Sequence, residues 1–233
     1  MEVSKGRIDR LGNSIRAGSM SDDDYQVLRA MRAKWEFTEL DLNIELVELL
    51  KQDEIRVFSR LKKMVSIRHK LTRSTFQLSR IRDIVGLRVI VTGGRRQQDK
   101  VVHEIVSGIR CDRFKVIDRR TAPSEGYRAV HIELTRGVVI AEVQVRTEFQ
   151  HEWAHLFEML SKTVGRGTRY GEPPLVGHLS LRSRSSVSTI LKNFTELSFE
   201  IARVEIFETS TSEIRKKLEI QKILINQLQK GLD

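Results

Sequence analysis

Two acidic residues, Asp83 and Glu142, stand where chemistry could be built. Paired carboxylates can hold a Mg²⁺ ion that also binds phosphate oxygens. The cations Arg60, Lys62, Lys70, Arg73 and Arg88 could neutralise phosphates, and Tyr127 offers a ring on which a base could stack. Carboxylates, cations and a stacking ring are what phosphoryl or pyrophosphoryl transfer needs, because catalysis there is mostly positioning and charge neutralisation. Glu142 lies in Glu142-Val143-Gln144-Val145-Arg146-Thr147, at the end of an alternating apolar run. In a strand, alternate side chains share a face, so Glu142, Gln144 and Arg146 project together while Val143 and Val145 point into a core. The plain alternative is a solvated sheet face.

These residues need a scaffold, and the sequence outlines one. Residues 1–20 lack a clear period and read as a flexible arm. Ser21 followed by Asp22, Asp23 and Asp24 is a helix start, with Tyr25, Leu28, Met31 and Trp35 at helical spacing behind it. A second helical run begins after Thr38, and Ile55, Phe58, Leu61 and Met64 extend its apolar face. Arg60 to Arg73 is densely cationic, either a solvated helix face or a set of phosphate contacts. Val85–Val91 reads as a strand with Asp83 at its entrance, Gln98–Ile109 as a helix and Phe114–Asp118 as a short strand. Tyr127–Leu134 alternates, with Tyr127, Ala129, His131 and Glu133 on one face. Gly137 turns it into Val138–Arg146 as an antiparallel hairpin. A helix follows from Thr147 to about Lys162, then a break at Gly165–Pro174. Helical sequence runs from about Leu179 to Leu232, with Leu191, Phe194, Leu197, Ile201, Val204 and Phe207 at helical spacing. The expected class is α+β: a mixed, mostly antiparallel sheet flanked by helices, with helical extensions at both ends. The expected division is an arm over 1–20, a core domain over 21–164 and a helical extension over 165–233.

The bulk numbers narrow the partners. The 233 residues carry 41 Lys plus Arg against 31 Asp plus Glu, a net charge of +10, which suits a polyanionic partner or simply a charged surface. The single cysteine, Cys111, excludes an internal disulfide and a thiolate metal cluster. No apolar run approaches the roughly 20 residues that span a bilayer, and the N-terminus carries no apolar signal core. The expectation is a cytoplasmic protein without a membrane partner.

Four blocks resemble the synthetase domain of the RelA/SpoT family, the alarmone synthetases, and the chain is similar in length to their small stand-alone members. Arg60-x-Lys62 with Ser66-Ile67, Lys70 and Arg73 resembles the family's ATP-binding block. Asp83-Ile84-Val85-Gly86-Leu87-Arg88 resembles its D-x-x-G-x-R block, and Gly126-Tyr127-Arg128-Ala129-Val130-His131 its G-Y-R-S-x-H block. Glu142 to Thr147 resembles its E-x-Q-x-R-T block, and Trp153 stands where the family has a Trp. The resemblance covers about residues 40–160 and implies a nucleotidyltransferase-like synthetase fold. It also implies transfer of the β,γ-pyrophosphate of ATP to the ribose 3′-hydroxyl of GDP or GTP. On that reading Asp83 and Glu142 bind Mg²⁺, with Glu142 also a candidate general base. Arg60 and Arg88 sandwich the adenine, and Lys62, Lys70 and Arg73 hold ATP phosphates with support from Ser66. Tyr127 stacks on the acceptor base, His131 contacts acceptor phosphates, and Gln144 orients the acceptor.

The sequence also departs from the family. Glu125 stands just before Gly126-Tyr127, where members usually carry a lysine or arginine that binds acceptor phosphates. His151 falls where an Asn that contacts guanine is common, so it joins the acceptor-binding candidates; Phe157-Glu158 and Ser161-Lys162 also depart from the usual pattern. The donor half is intact and the acceptor half altered. The alternative acceptor is the 3′ end of tRNA, as in small toxic members, which the +10 charge would suit. An antitoxin, and self-association through the C-terminal helices, are further candidate partners. The His-Asp hydrolase of long members has no counterpart, since no His-Asp dipeptide occurs.

Two readings from other classes compete. His151-Glu152-Trp153-Ala154-His155 is H-E-x-x-H, the helix signature of zinc proteases, with Glu172 or Glu196 as a distant third ligand. It leaves the four ordered blocks unexplained. A nucleotide- or RNA-binding module without catalysis would not need both Asp83 and Glu142.

Overall fold

The computed structural model describes residues 3–51, 55–73, 75–177, 181–207 and 211–230, with the side chains of 181–183 outside the description. The described elements are α1 (Lys5–Ala17), α2 (Asp22–Leu49), β1 (Ile55–Leu61), α3 (Met64–Arg73), β2 (Val85–Val91), α4 (Arg95–Gly108), β3 (Arg113–Asp118), β4 (Val130–Arg136), β5 (Val139–Thr147), α5 (Glu148–Val164), α6 (Leu181–Phe207) and α7 (Ser212–Lys230). The five strands form one sheet in the order β1-β2-β5-β4-β3. The class is α+β, with a mixed sheet and helical extensions, as expected. No described helix is long and apolar enough to cross a membrane.

The chain divides into two compact units. The first comprises Met1–Val89, Val101–Ile117 and His131–Val145, and the second Ile90–Lys100, Asp118–Val130 and Arg146–Asp233.

In the first unit, α2 starts at a reciprocal cap. Ser21 accepts from the Asp24 amide, and the Asp24 carboxylate accepts from the Ser21 amide. The cap satisfies two amides that a helix end would otherwise leave open. Val27, Met31, Trp35, Leu42 and Leu46 then line one buried face. Burying such side chains stabilises by about 1.5–3 kcal/mol each. Residues 5–17 are not a loose arm but helix α1, with Ile8, Leu11 and Ile15 buried against α2, α3 and a 3₁₀ turn at Leu78–Arg80. The absence of a side chain at Gly12 permits that packing, because a Cβ there would lie 2.7 Å from the Leu78 Cβ.

The helical face expected to run on through Ile55, Phe58, Leu61 and Met64 is also corrected. Residues 55–61 form edge strand β1, whose burial alternates residue by residue. Ile55, Val57, Ser59 and Leu61 are half-buried, while Arg56, Phe58 and Arg60 are exposed. The apolar residues fit both a period of two and a period of three to four, and α2 packing against β1 favours the strand. Arg60 therefore stands on a strand rather than a helix. The β4–β5 hairpin forms as expected around Gly137, but Tyr127 and Ala129 precede β4 rather than lie on it.

The second unit has a helical core. Trp153, Phe157 and Phe194 meet with ring centroids 4.9 Å, 5.6 Å and 5.4 Å apart. Val187, Ile190, Leu197, Ile201, Ile214, Leu218 and Ile225 join this cluster from α6 and α7. The two C-terminal helices thus bury one apolar face in the cluster with α5, while Phe199, Ile206, Phe207, Ile220 and Ile223 stay exposed.

Candidate active site

Glu142 and Gln144 stand on the half-buried face of β5, while Ala141, Val143 and Val145 are buried on the other. The Gln144 amide donates to one carboxylate oxygen of Glu142 at 2.7 Å, and His131 Nδ1 lies 2.9 Å from the other. A carboxylate accepts, so that ring nitrogen carries the proton. Burial pushes the Glu142 carboxyl up, and the nearby charge of Asp83 adds to it. The hydrogen bond and charge of His131, with the bond from Gln144, outweigh both and hold the group below its ordinary range. Glu142 is therefore ionised at neutral pH and weakly basic.

Asp83 ends the loop before β2, and β2 is the neighbour of β5 in the sheet. Its two oxygens accept from Lys62 Nζ at 2.6 Å and Lys70 Nζ at 2.8 Å. Burial pushes its carboxyl up, yet the two ammonium groups hold it below the usual carboxylate range. Lys62 is fixed by its own amide, which donates to the Ile84 carbonyl at 2.8 Å. Lys70 is aimed by α3, which buries Ile67 and Leu71. Ser66 and Arg73 stand exposed on that helix, and Arg60 exposed on β1 beside the half-buried Arg88 strand. Across that strand pair the Cγ of Arg60 passes Gly86, where a Cβ would lie 3.9 Å away. The structure thus gathers the expected donor-side residues within the first unit.

The donor set suits Mg²⁺, which usually takes one or two protein carboxylates and fills its remaining positions with water and phosphate oxygens. It does not suit zinc. Among the described residues no three His, Cys, Asp or Glu side chains group around a metal position. The His151 and His155 rings stack with centroids 6.5 Å apart, and no third ligand joins them among those residues.

The acceptor-side candidates Tyr127 and His151 fall in the second unit. Tyr127 closes a tight turn, its amide donating to the Ser124 carbonyl at 2.8 Å. The turn's central residues have positive φ, 50° at Glu125 and 83° at Gly126. Gly126 is required twice, by that conformation and because a Cβ would lie 2.8 Å from the Trp153 ring. Arg146, buried at the end of β5, donates to the Tyr127 hydroxyl at 2.8 Å, and its guanidinium carbon lies 4.9 Å from the ring centroid. His151 is half-buried on α5.

Sequence reasoning gave no role to Arg128, Ser198 or Glu205. Arg128 Nε donates to the Ser198 hydroxyl at 3.0 Å, and that hydroxyl donates to the Gly126 carbonyl at 2.5 Å. Trp153 Nε1 donates to the Phe194 carbonyl at 2.8 Å. Glu205 is buried, accepting from the Thr147 hydroxyl and from Gln150 Nε2 at 2.7 Å. A serine and a glutamate on a helix look like surface residues. The available signal was their spacing, since Phe194, Ser198, Ile201 and Glu205 share one helical face.

Residues 59–159 match the family model described as the region found in RelA / SpoT proteins. The uncharacterised proteins Rv1366 of Mycobacterium tuberculosis and Mb1401 of Mycobacterium bovis are each 37% identical over 122 residues, 52% of this chain. The match spans about half the length of those relatives, 45%. Small alarmone synthetase 1 from Bacillus subtilis, solved with its product pppGpp, superposes with a TM-score of 0.58 at 19% identity, covering 82% of this chain and 98% of that one. A GTP pyrophosphokinase family protein from Streptococcus pneumoniae gives 0.52 at 19% identity, covering 88% and 98%. At such identity the likeness is one of fold. Residues 59–159 of this chain thus match the RelA/SpoT region, and the chain has the fold of the small alarmone synthetases.

Proposed function

We propose that the protein transfers the β,γ-pyrophosphate of ATP to the ribose 3′-hydroxyl of GDP or GTP. The observation that carries this reading is the pair of ionised carboxylates, Asp83 beside β2 and Glu142 on the adjacent β5, with Lys62 and Lys70 on the first. An enzyme of this fold, the Bacillus subtilis synthetase, was solved with pppGpp. The acceptor 3′-oxygen forms a bond to the β-phosphorus of ATP, the bond from that phosphorus to the bridging oxygen breaks, and AMP leaves. Glu142 takes the hydroxyl proton; its low basicity means that it accepts late, once the oxygen is already acidified by bonding to phosphorus. Lys62, Lys70 and Arg73 hold ATP phosphates, with Ser66 in support, and Arg60 and Arg88 bracket the adenine. Tyr127 stacks on the acceptor base, and Gln144 and His131 keep Glu142 ionised and oriented. A Mg²⁺ held by Asp83 and Glu142 would neutralise charge on the transferred group.

A second reading keeps the donor and changes the acceptor to the 3′ end of tRNA. Exposed Glu125 in the Tyr127 turn and the net charge of +10 favour it. The test offers ATP labelled in its β,γ-phosphates with GDP, GTP and bulk tRNA in separate reactions. Label on a guanine nucleotide is expected. Label on tRNA alone selects the second reading, and label on none rejects both.

A further inference from the structure

Helix α6 lies beyond residues 59–159, yet it touches three sequence blocks of the acceptor side. Its Phe194 carbonyl receives the Trp153 ring N–H, its Ser198 receives Arg128 and bonds Gly126, and its Glu205 receives Thr147 and Gln150. We propose that α6 is a positioning element for the Tyr127 turn, with Ser198 as the positioning residue.

The turn needs such a brace. Thr121, Ala122, Ser124 and Glu125 are exposed, and Glu125 sits in a left-handed conformation that costs a non-glycine residue energy. Its fixed points are on either side of Tyr127. Before it, the Gly126 carbonyl accepts from Ser198. After it, the Arg128 guanidinium bonds the Ser198 hydroxyl and, at 3.2 Å, the Ser198 carbonyl, with the Phe199 ring centroid 5.3 Å from its carbon. Arg128 Nη1 also donates to the Arg120 carbonyl. Burial lowers the affinity of the Arg128 guanidinium for its proton, although Glu205 opposes that. The cation is thus committed to internal acceptors rather than to a ligand phosphate. One serine hydroxyl links both neighbours of Tyr127. The ring itself is set by Arg146, which bonds its hydroxyl and lies over one face. The backbone brace from α6 and the ring brace from β5 together fix one orientation of Tyr127 before a ligand arrives, which removes ordering cost from binding.

This rests on Tyr127 as the acceptor-stacking ring, so the test has one readout that needs no acceptor. In Ser198→Ala, amide hydrogen exchange across residues 124–129 should speed up, while amides of α5 and α7 keep their protection. In steady state the KM for the guanine nucleotide should rise about three- to tenfold, the effect of one lost hydrogen bond, with the KM for ATP unchanged. Phe199→Ala, at a ring 56% exposed, should move both readouts the same way by about twofold or less and leave folding untouched. Faster exchange without any guanine-nucleotide turnover would keep the brace and reject the proposed acceptor. Unchanged exchange across 124–129 in both variants, or KM values for both substrates raised equally, would overturn the brace and leave α6 a packing helix only.

Discussion

The molecule buries two carboxylates in opposite ways. Asp83 in the first unit faces two ammonium groups at 2.6 Å and 2.8 Å and titrates low. Glu205 in the second unit is bonded by neutral donors, Thr147 and Gln150, and burial pushes its carboxyl up despite them and the charges of Arg128 and Arg120. Burial pushes both carboxyls up, so burial alone does not decide the charge state. Contact with full positive charges does. An acid kept ionised by lysine ammonium groups can exchange those partners for a metal or a phosphate. An acid held among neutral hydrogen bonds is a structural joint, and here it ties α6 to the head of α5.

That comparison can be broken in several ways. The largest effect is expected at the first acid and its companion on β5. Asp83→Asn and Glu142→Gln should each lower kcat by about a thousandfold or more with circular dichroism unchanged, as loss of a key charged group does. Most activity surviving in Glu142→Gln would sink the proposed mechanism. Next is the joint's surroundings: Trp153→Ala should destabilise by about 3–5 kcal/mol in chemical denaturation, because it empties the Trp153–Phe157–Phe194 cluster.

The pH dependence separates the acids by sign. The Asp83 value is depressed on folding, so its contribution is complete above about pH 4 and is lost as pH falls through the lower folded value. The Glu205 value is raised on folding. Its contribution is present below about pH 4.3 and is lost as pH rises through the higher folded value. Thermal melts of Glu205→Gln should therefore gain on the wild type as pH increases from 4 to 8. Melts of Asp83→Asn should lose relative to the wild type over the rise through pH 4. Parallel profiles would mean that the two carboxylates are not electrostatically different. The smallest effect is expected at Glu125→Lys, which restores a cation to an exposed turn. It should strengthen guanine-nucleotide binding by about two- to fivefold, the size of an exposed charge contact, read as KM at low salt.

Much of the donor side was legible because its residues act where local rules place them. Asp83 stands at a strand entrance, Lys62 precedes one short helix and Lys70 lies on it, and Glu142 with Gln144 alternates with buried valines. Capping residues were equally plain: Ser21 starts α2 and Thr147 starts α5, each with its reciprocal partner. The misses have specific causes. Ile55, Phe58 and Leu61 fit a helical period while Ile55, Val57 and Leu61 fit a period of two, and packing against α2 chose the strand. Residues 5–17 read as loose because Gly6 and Gly12 break up the pattern of Ile8, Leu11 and Ile15, whose spacing matters only once α3 and the Leu78 turn meet them.

The sequence by itself determined the chemistry available: which acids, which cations and which ring. Local propensity and motif spacing suffice for that, since each block is a few residues long. The tertiary structure alone decided that β5 inserts between β2 and β4, making the strand of Glu142 the neighbour of the strand that follows Asp83. It alone placed His131 on Glu142 and brought Ser198, 70 residues away in sequence, to Arg128. Such pairings depend on long-range burial and strand order, which no local pattern encodes.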